Sequence, residues 1–118
     1  MPYKLSHRIC FQTTDLQEAK AHFQKELGLV LVHESPESLE LDGGELRLFI
    51  DKGPNMGPIM ELVVPELEKA KEDLIQQGWE VVVWEGKDQR CYVRNLMGTI
   101  FNLHEDPSLF DSEELEAN

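Results

Sequence analysis

Tyr92-Val93-Arg94-Asn95-Leu96-Met97-Gly98-Thr99-Ile100-Phe101-Asn102-Leu103-His104-Glu105 reads as strand, tight turn and strand. Asn95 and Gly98 tolerate backbone angles that strain other residues, so they mark the turn. Strand side chains alternate. Thr99, Phe101 and Leu103 therefore share a mostly apolar face suited to a core, and Ile100, Asn102 and His104 share the opposite face. An amide and an imidazole on that second face suit the wall of a cavity.

Working outward, residues 59–64 read as a strand, and Pro65 and Glu66 open a helix whose stripe is Leu67, Ala70 and Leu74. Proline is tolerated there because the first helical amide has no intrahelical partner. Gly78 closes the helix, and residues 79–84 and 89–94 are strands. The first half has the same order. In residues 5–11, Leu5, His7, Ile9 and Phe11 face one way, and Arg8, Cys10 and Gln12 the other. Thr14 with Gln17, or Asp15 with Glu18, makes a capping box. Leu16, Ala19, Phe23 and Leu27 recur at helical spacing, and Gly28 stops the helix. Residues 29–33, 38–41 and 45–50 are strands, the last two joined through Asp42-Gly43-Gly44.

The halves superpose by counting: Asp15 plus 51 is Glu66, Leu16 plus 51 is Leu67, Ala19 plus 51 is Ala70, and Gly28 plus 50 is Gly78. The chain is α+β, with two βαβββ modules forming a curled mixed sheet, a cup with helices on the outside. Residues 4–51 are the first module, 52–58 a Gly- and Pro-rich linker, 59–105 the second module and 106–118 an acidic tail. A unit too small to bury its own apolar face needs its copy.

The 118 residues suit one domain. The net charge of −12 argues against nucleic acids and anionic membranes as partners. Residues 105–118 carry six acidic groups and no Lys or Arg, which reads as a solvated, partly frayed end. No apolar run reaches the roughly 20 residues of a membrane helix. Met1-Pro2-Tyr3-Lys4-Leu5-Ser6 lacks the apolar core of a leader. With two cysteines, Cys10 and Cys91, a reducing cytoplasm is expected.

His7 to Gln12, Asp15-Leu16, Phe23, Leu27-Gly28-Leu29 and the closing Asn95 to Leu103 together resemble the vicinal oxygen chelate superfamily. Glyoxalase I, the bleomycin- and fosfomycin-resistance proteins and the extradiol dioxygenases belong to it. The resemblance spans residues 4–105. It implies the cup and a homodimer. In catalytic members, it implies a divalent metal held by His, Gln or Glu from the first and last strands of each module. Carried over by position, those sites read Arg8, Leu48, Ile59 and Asn102. Arginine only donates, leucine and isoleucine have no donor atoms, and an asparagine oxygen alone is a weak ligand. No metal is expected on this register. A bulge in the first strand would instead bring His7, Glu61 and His104 into an N/N/O set for one divalent ion such as zinc or nickel.

Without a metal, the cup is expected to be lined by Arg8, Cys10, Gln12, Ile59, Glu61, Val63, Ile100, Asn102 and His104, with Leu46 and Leu48 from the first module. Arg8, Gln12, Glu61, Asn102 and His104 are its ligand-binding candidates. Arg8 has two readings. Its guanidinium can fork onto a carboxylate or phosphate of a ligand, or it can pair with Glu61. Phosphate-loop and nucleophile-elbow motifs are missing. The resemblance implies a protein that binds a small organic ligand as bleomycin-resistance proteins do. The alternative is a metal-dependent lyase or isomerase of the glyoxalase I type.

Overall fold

A computed structural model describes residues 3–116. Met1 and Pro2 of the N-terminal segment, and Ala117 and Asn118 of the acidic tail, lie outside the described residues. The eight strands are β1 (Lys4–Thr13), β2 (Val30–Glu34), β3 (Ser38–Asp42), β4 (Arg47–Lys52), β5 (Met56–Val64), β6 (Glu80–Trp84), β7 (Cys91–Arg94) and β8 (Ile100–Glu105). Helices α1 (Leu16–Ala21), α2 (Leu67–Gln76) and α3 (Ser112–Glu116) complete the α+β chain of two βαβββ modules. It divides into two compact units, residues 7–59 and residues 3–6 with 60–116. β5 begins at Met56, so the last three residues of the expected linker are already strand.

In the first unit the strand order is β2-β3-β4-β1. β1 runs parallel to β4 in an unbroken register from Arg8↔Arg47 to Thr13↔Lys52, and β3 is antiparallel to β4. Asp15 caps α1, its Oδ1 accepting the Glu18 N–H at 3.0 Å, but its own N–H donates to Thr13 Oγ1 at 3.2 Å, so only half of the expected Asp15–Glu18 box forms. After Ala21 the helix widens into a π turn, His22–Glu26. That turn rotates Leu27 off the apolar stripe, and it is 56% exposed rather than packed. Leu16, Leu39, Leu41, Leu48 and Ile50 form the core, with Ile9, Phe11, Ala19, Phe23, Leu29 and Leu31 against it.

In the second unit the order is β5-β8-β7-β6. Its core is Val64, Leu67, Ala70, Leu74, Cys91, Val93 and Leu103, with Tyr3, Leu62, Trp79, Val81, Trp84 and Phe101 against it. Glu66 stands where Asp15 does but makes no side-chain cap. Glu105 of β8 takes the role, its Oε1 accepting the Leu67 N–H at 2.9 Å. Gly78 takes φ +95° at the end of α2, a left-handed angle that favours glycine.

A β-bulge interrupts β2 at Val32 and β6 at Val82, positions 50 residues apart. Each puts two residues opposite one and swaps which side chains face the helix beyond it. The repeat thus extends to an irregularity that periodicity alone does not reveal.

The start of the tail is docked through Phe110, while most residues from 111 to 116 are exposed, as its charge suggests. Asp106 accepts the Ser108 N–H at the start of a 3-10 turn, Pro107–Leu109. Phe110 is buried, with the Lys4 ammonium 4.9 Å from its ring centroid. Lys4 also donates to the Leu109 carbonyl at 2.6 Å and pairs with Glu114 at 3.2 Å. One buried ring and one lysine outweigh the mutual repulsion of solvated carboxylates.

Candidate functional site

Strand pairing arranges the helix-free face of the first unit in rows. Residues opposite each other across a ladder share a face. Arg8, Arg47 and Asp42 form one row, and Cys10, Phe49, Glu40 and His33 the next. Gln12, Asp51 and Ser38 form a third. The Arg8 guanidinium stands over the Phe49 ring, 5.3 Å from its centroid. Arg47 Nη1 donates to Glu40 Oε2 at 3.0 Å, and both of those side chains are about two-thirds shielded. The patch therefore sets two adjacent guanidinium groups on an aromatic base, with Arg47 tied to Glu40.

A guanidinium is a fork of donors that matches a planar oxyanion, and an aromatic ring beneath it adds a stacking surface. Gln12 on the same face is buried and ends beside Gly53, where an added Cβ would lie 3.1 Å from Gln12 Oε1. The structure thus brings Arg8 and Gln12 onto one face, as expected. Glu61, Asn102 and His104 belong to the second unit. There Glu61 is buried, and Asn102 lies opposite Tyr92 with its Oδ1 accepting the Cys91 N–H at 2.9 Å. Cys91 donates its thiol proton to the Gly86 carbonyl, and burial pushes that thiol up from its ordinary value.

The expected lining by Leu46 and Leu48 is corrected. Leu48 is buried in the core under α1, opposite Ile9 and Leu41, and Leu46 is exposed in the turn closed by the Gly43 N–H to the Leu46 carbonyl. That turn starts β4 at Arg47, so Arg47, Phe49 and Asp51 take the other face. Sequence reasoning missed Arg47, Phe49 and Glu40. The polar residues at 47 and 51, against the apolar Leu48 and Ile50, carried the signal.

Counted from paired core residues, the counterpart of Asn102 in the first module is Phe49, since Leu48 and Phe101 both face their cores. The positions the superfamily uses for metal ligands therefore hold Arg8, Phe49, Ile59 and Asn102. Three of these have no lone pair to offer a cation, and the Asn102 oxygen already accepts a backbone N–H. Side chains of these types are poor ligands for a divalent metal. His7 is exposed, and the β1 register that starts beside it has no bulge. Among the described residues, no three His, Cys, Asp or Glu side chains are placed to hold a metal ion. No helix is long and apolar enough to cross a membrane.

No family model matches this chain, and no curated protein does. Solved structures do. The hypothetical protein BH1468 from Bacillus halodurans C-125 matches at 13% identity and TM-score 0.61, over 90% of this chain and 96% of that one. Methylmalonyl-CoA epimerase from Mycobacterium tuberculosis matches at 17% identity and TM-score 0.55, over 89% of each chain. Homoprotocatechuate 2,3-dioxygenase from Brevibacterium fuscum, solved with 3,4-dihydroxyphenylacetate, matches at 17% identity and TM-score 0.62. There the match covers 87% of this chain and 36% of the dioxygenase. Two βαβββ modules and these three likenesses lead to one conclusion: the fold of this chain is the vicinal oxygen chelate fold.

Proposed function

We propose that this protein is a glyoxalase/bleomycin-resistance-like binding protein that holds a small organic anion without a metal, acting as a cytoplasmic homodimer. The observation that carries the reading is Arg8 over Phe49, with Arg47 alongside, on a chain whose net charge is −12. A cationic edge backed by an aromatic ring selects a flat carboxylate, the ring offering a stacking surface and the guanidinium a two-point bond. The poor donors at Arg8, Phe49, Ile59 and Asn102 support the metal-free reading.

Two measurements test this. Metal content of untagged protein, purified without chelator, is expected below roughly a tenth of an equivalent, because sites of this kind hold their ions tightly. About one zinc or nickel per chain, lost on changing His7, Glu61 or His104, would move the lyase or isomerase reading ahead. Calorimetric titration with benzoate and its neutral analogue benzamide is the second. Benzoate is expected to bind more tightly, and Arg8→Ala to weaken it about tenfold or more, as befits a charged hydrogen-bonded pair. Equal affinity for both compounds would end the anion reading. A Glu61→Gln variant binding benzoate more tightly than the parent would show Arg8 to be held by Glu61 instead.

A further inference from the structure

The second unit carries a cleft away from the Arg8 face, and counting along the repeat shows why it exists. In the first module Phe11 and Phe23 pack with ring centroids 5.6 Å apart, and the crevice beside them measures about 320 Å³. Phe11 plus 51 is Leu62, and Phe23 plus 51 is Leu74. Two rings are thus replaced by two smaller side chains, and a cleft of about 760 Å³ opens, lined by Leu62 and Leu74 among others. The aromatic side chains are set around it instead. Trp79 and Phe101 pack with centroids 5.5 Å apart, and Tyr3 lines the cleft as well. The polar lining is Asp73 and Gln76 from the C-terminal half of α2, with Gln77, its C-cap.

Asp73 decides the ligand class. It forms no salt bridge among the described residues, and its charge, after burial, pushes the Tyr3 phenol up from its ordinary value. A carboxylate, three aromatic side chains and two amides around one cleft complement a cation that has apolar bulk. The size is that of a small-molecule pocket. Lysine already uses this chemistry elsewhere in the molecule, over Trp84 at 4.4 Å and over Phe110. We propose that the Tyr3–Trp79–Phe101 cleft, with Asp73, is a binding site for a small alkylammonium compound.

The probe is choline, and the control is 3,3-dimethyl-1-butanol, which has the same shape without the charge. Binding is followed on the full chain by the NMR shift of the Trp79 indole N–H, assigned with Trp79→Phe. Choline is expected to give a saturable shift in the millimolar range, as suits so few atoms, and to bind about tenfold more tightly than the alcohol. Asp73→Asn, a change on a partly exposed helix face, is expected to remove most of that preference. Leu74→Phe restores the ring the first module carries and is expected to abolish binding in a protein that keeps dispersed amide signals. Equal affinity for choline and the alcohol, no saturable shift at Trp79, or full binding by Asp73→Asn would each overturn the proposal.

Discussion

Lys20 and Lys71 lie 51 residues apart, one on each module's helix, and each reaches the last residue of the strand that follows. Lys20 meets Glu34 in an ion pair at 2.8 Å. Lys71 meets the Trp84 ring at 4.4 Å from its centroid. Both strands carry the bulge, at Val32 and Val82, that brings the end residue to the helix side. The modules share a mechanical arrangement and differ in its chemistry. The same holds at the helix starts, capped by the local Asp15 in one and the distant Glu105 in the other. It holds again at Phe23 and Leu74, where one module is filled and the other has a cleft. Backbone geometry is held in common because each helix must close on its own sheet. Side chains at the same positions are free to diverge into different sites.

The largest effects are expected where the two modules are most alike. Leu41→Ala and Leu103→Ala each remove a fully buried side chain from one core. Each is expected to cost about 2–5 kcal/mol in denaturant unfolding. A much smaller loss in one would show that its module is not packed as its copy is.

The glycine stops come next. Gly28 and Gly78 both have positive φ, +73° and +95°. Alanine at either is expected to cost about 1–2 kcal/mol, because a Cβ is strained there. Gly78→Ala should cost more, since its Cβ would lie 3.2 Å from Leu96 Cδ2 and that of Gly28 meets nothing within 4 Å. The reverse order would break the equivalence of the two stops.

The caps follow, at about 1 kcal/mol each for Asp15→Ala and Glu105→Ala. The Glu105 cap carries a pH dependence. The Leu67 N–H bond, and then Lys87 at 3.1 Å, hold the Glu105 carboxyl below its ordinary value. A carboxyl lowered on folding stabilises the protein above its unfolded value of about 4.5, and loses that contribution as pH falls through its folded value. The stability gap between the parent and Glu105→Ala is therefore expected to be full at pH 7 and to shrink on acidification below about 4.5. A gap that stays constant down to acid pH would show the cap to be unimportant.

Smallest are the helix-to-strand clips. Lys71→Met is expected to lose about 0.5–1 kcal/mol with little dependence on salt. Lys20→Met should lose a small contribution that fades as salt is added, because the ion pair is exposed and screened. Equal salt dependence in thermal unfolding of the two variants would erase the distinction between them.

Much of the fold was legible because its signals are local. Asp15 caps the residue three ahead, Gly28 and Gly78 end the turns that precede them, and the apolar stripes recur within one helix. The site was less legible. A single offset at the Gly43–Leu46 turn interchanged the two faces of β4 and hid Arg47 and Phe49 behind Leu46 and Leu48. Leu27 was misplaced because a π turn adds a residue without any mark in the composition. Acidic composition suggested a partly frayed tail and not its docked start, because Phe110 and Lys4, 106 positions apart, are not neighbours until the chain folds.

By itself, then, the sequence determined the two βαβββ repeats, their helix stops, the Asp15 cap and the placing of Arg8 on the face shared with Gln12. Each follows from spacing within a few residues or from matching one half of the chain to the other. Tertiary structure alone decided the bulges at Val32 and Val82, the Glu105 cap on Leu67, the Arg8–Phe49 stack and the cleft beside Leu74. These depend on which strand lies in register with which, and on the volumes that distant side chains leave between them, so no local pattern encodes them.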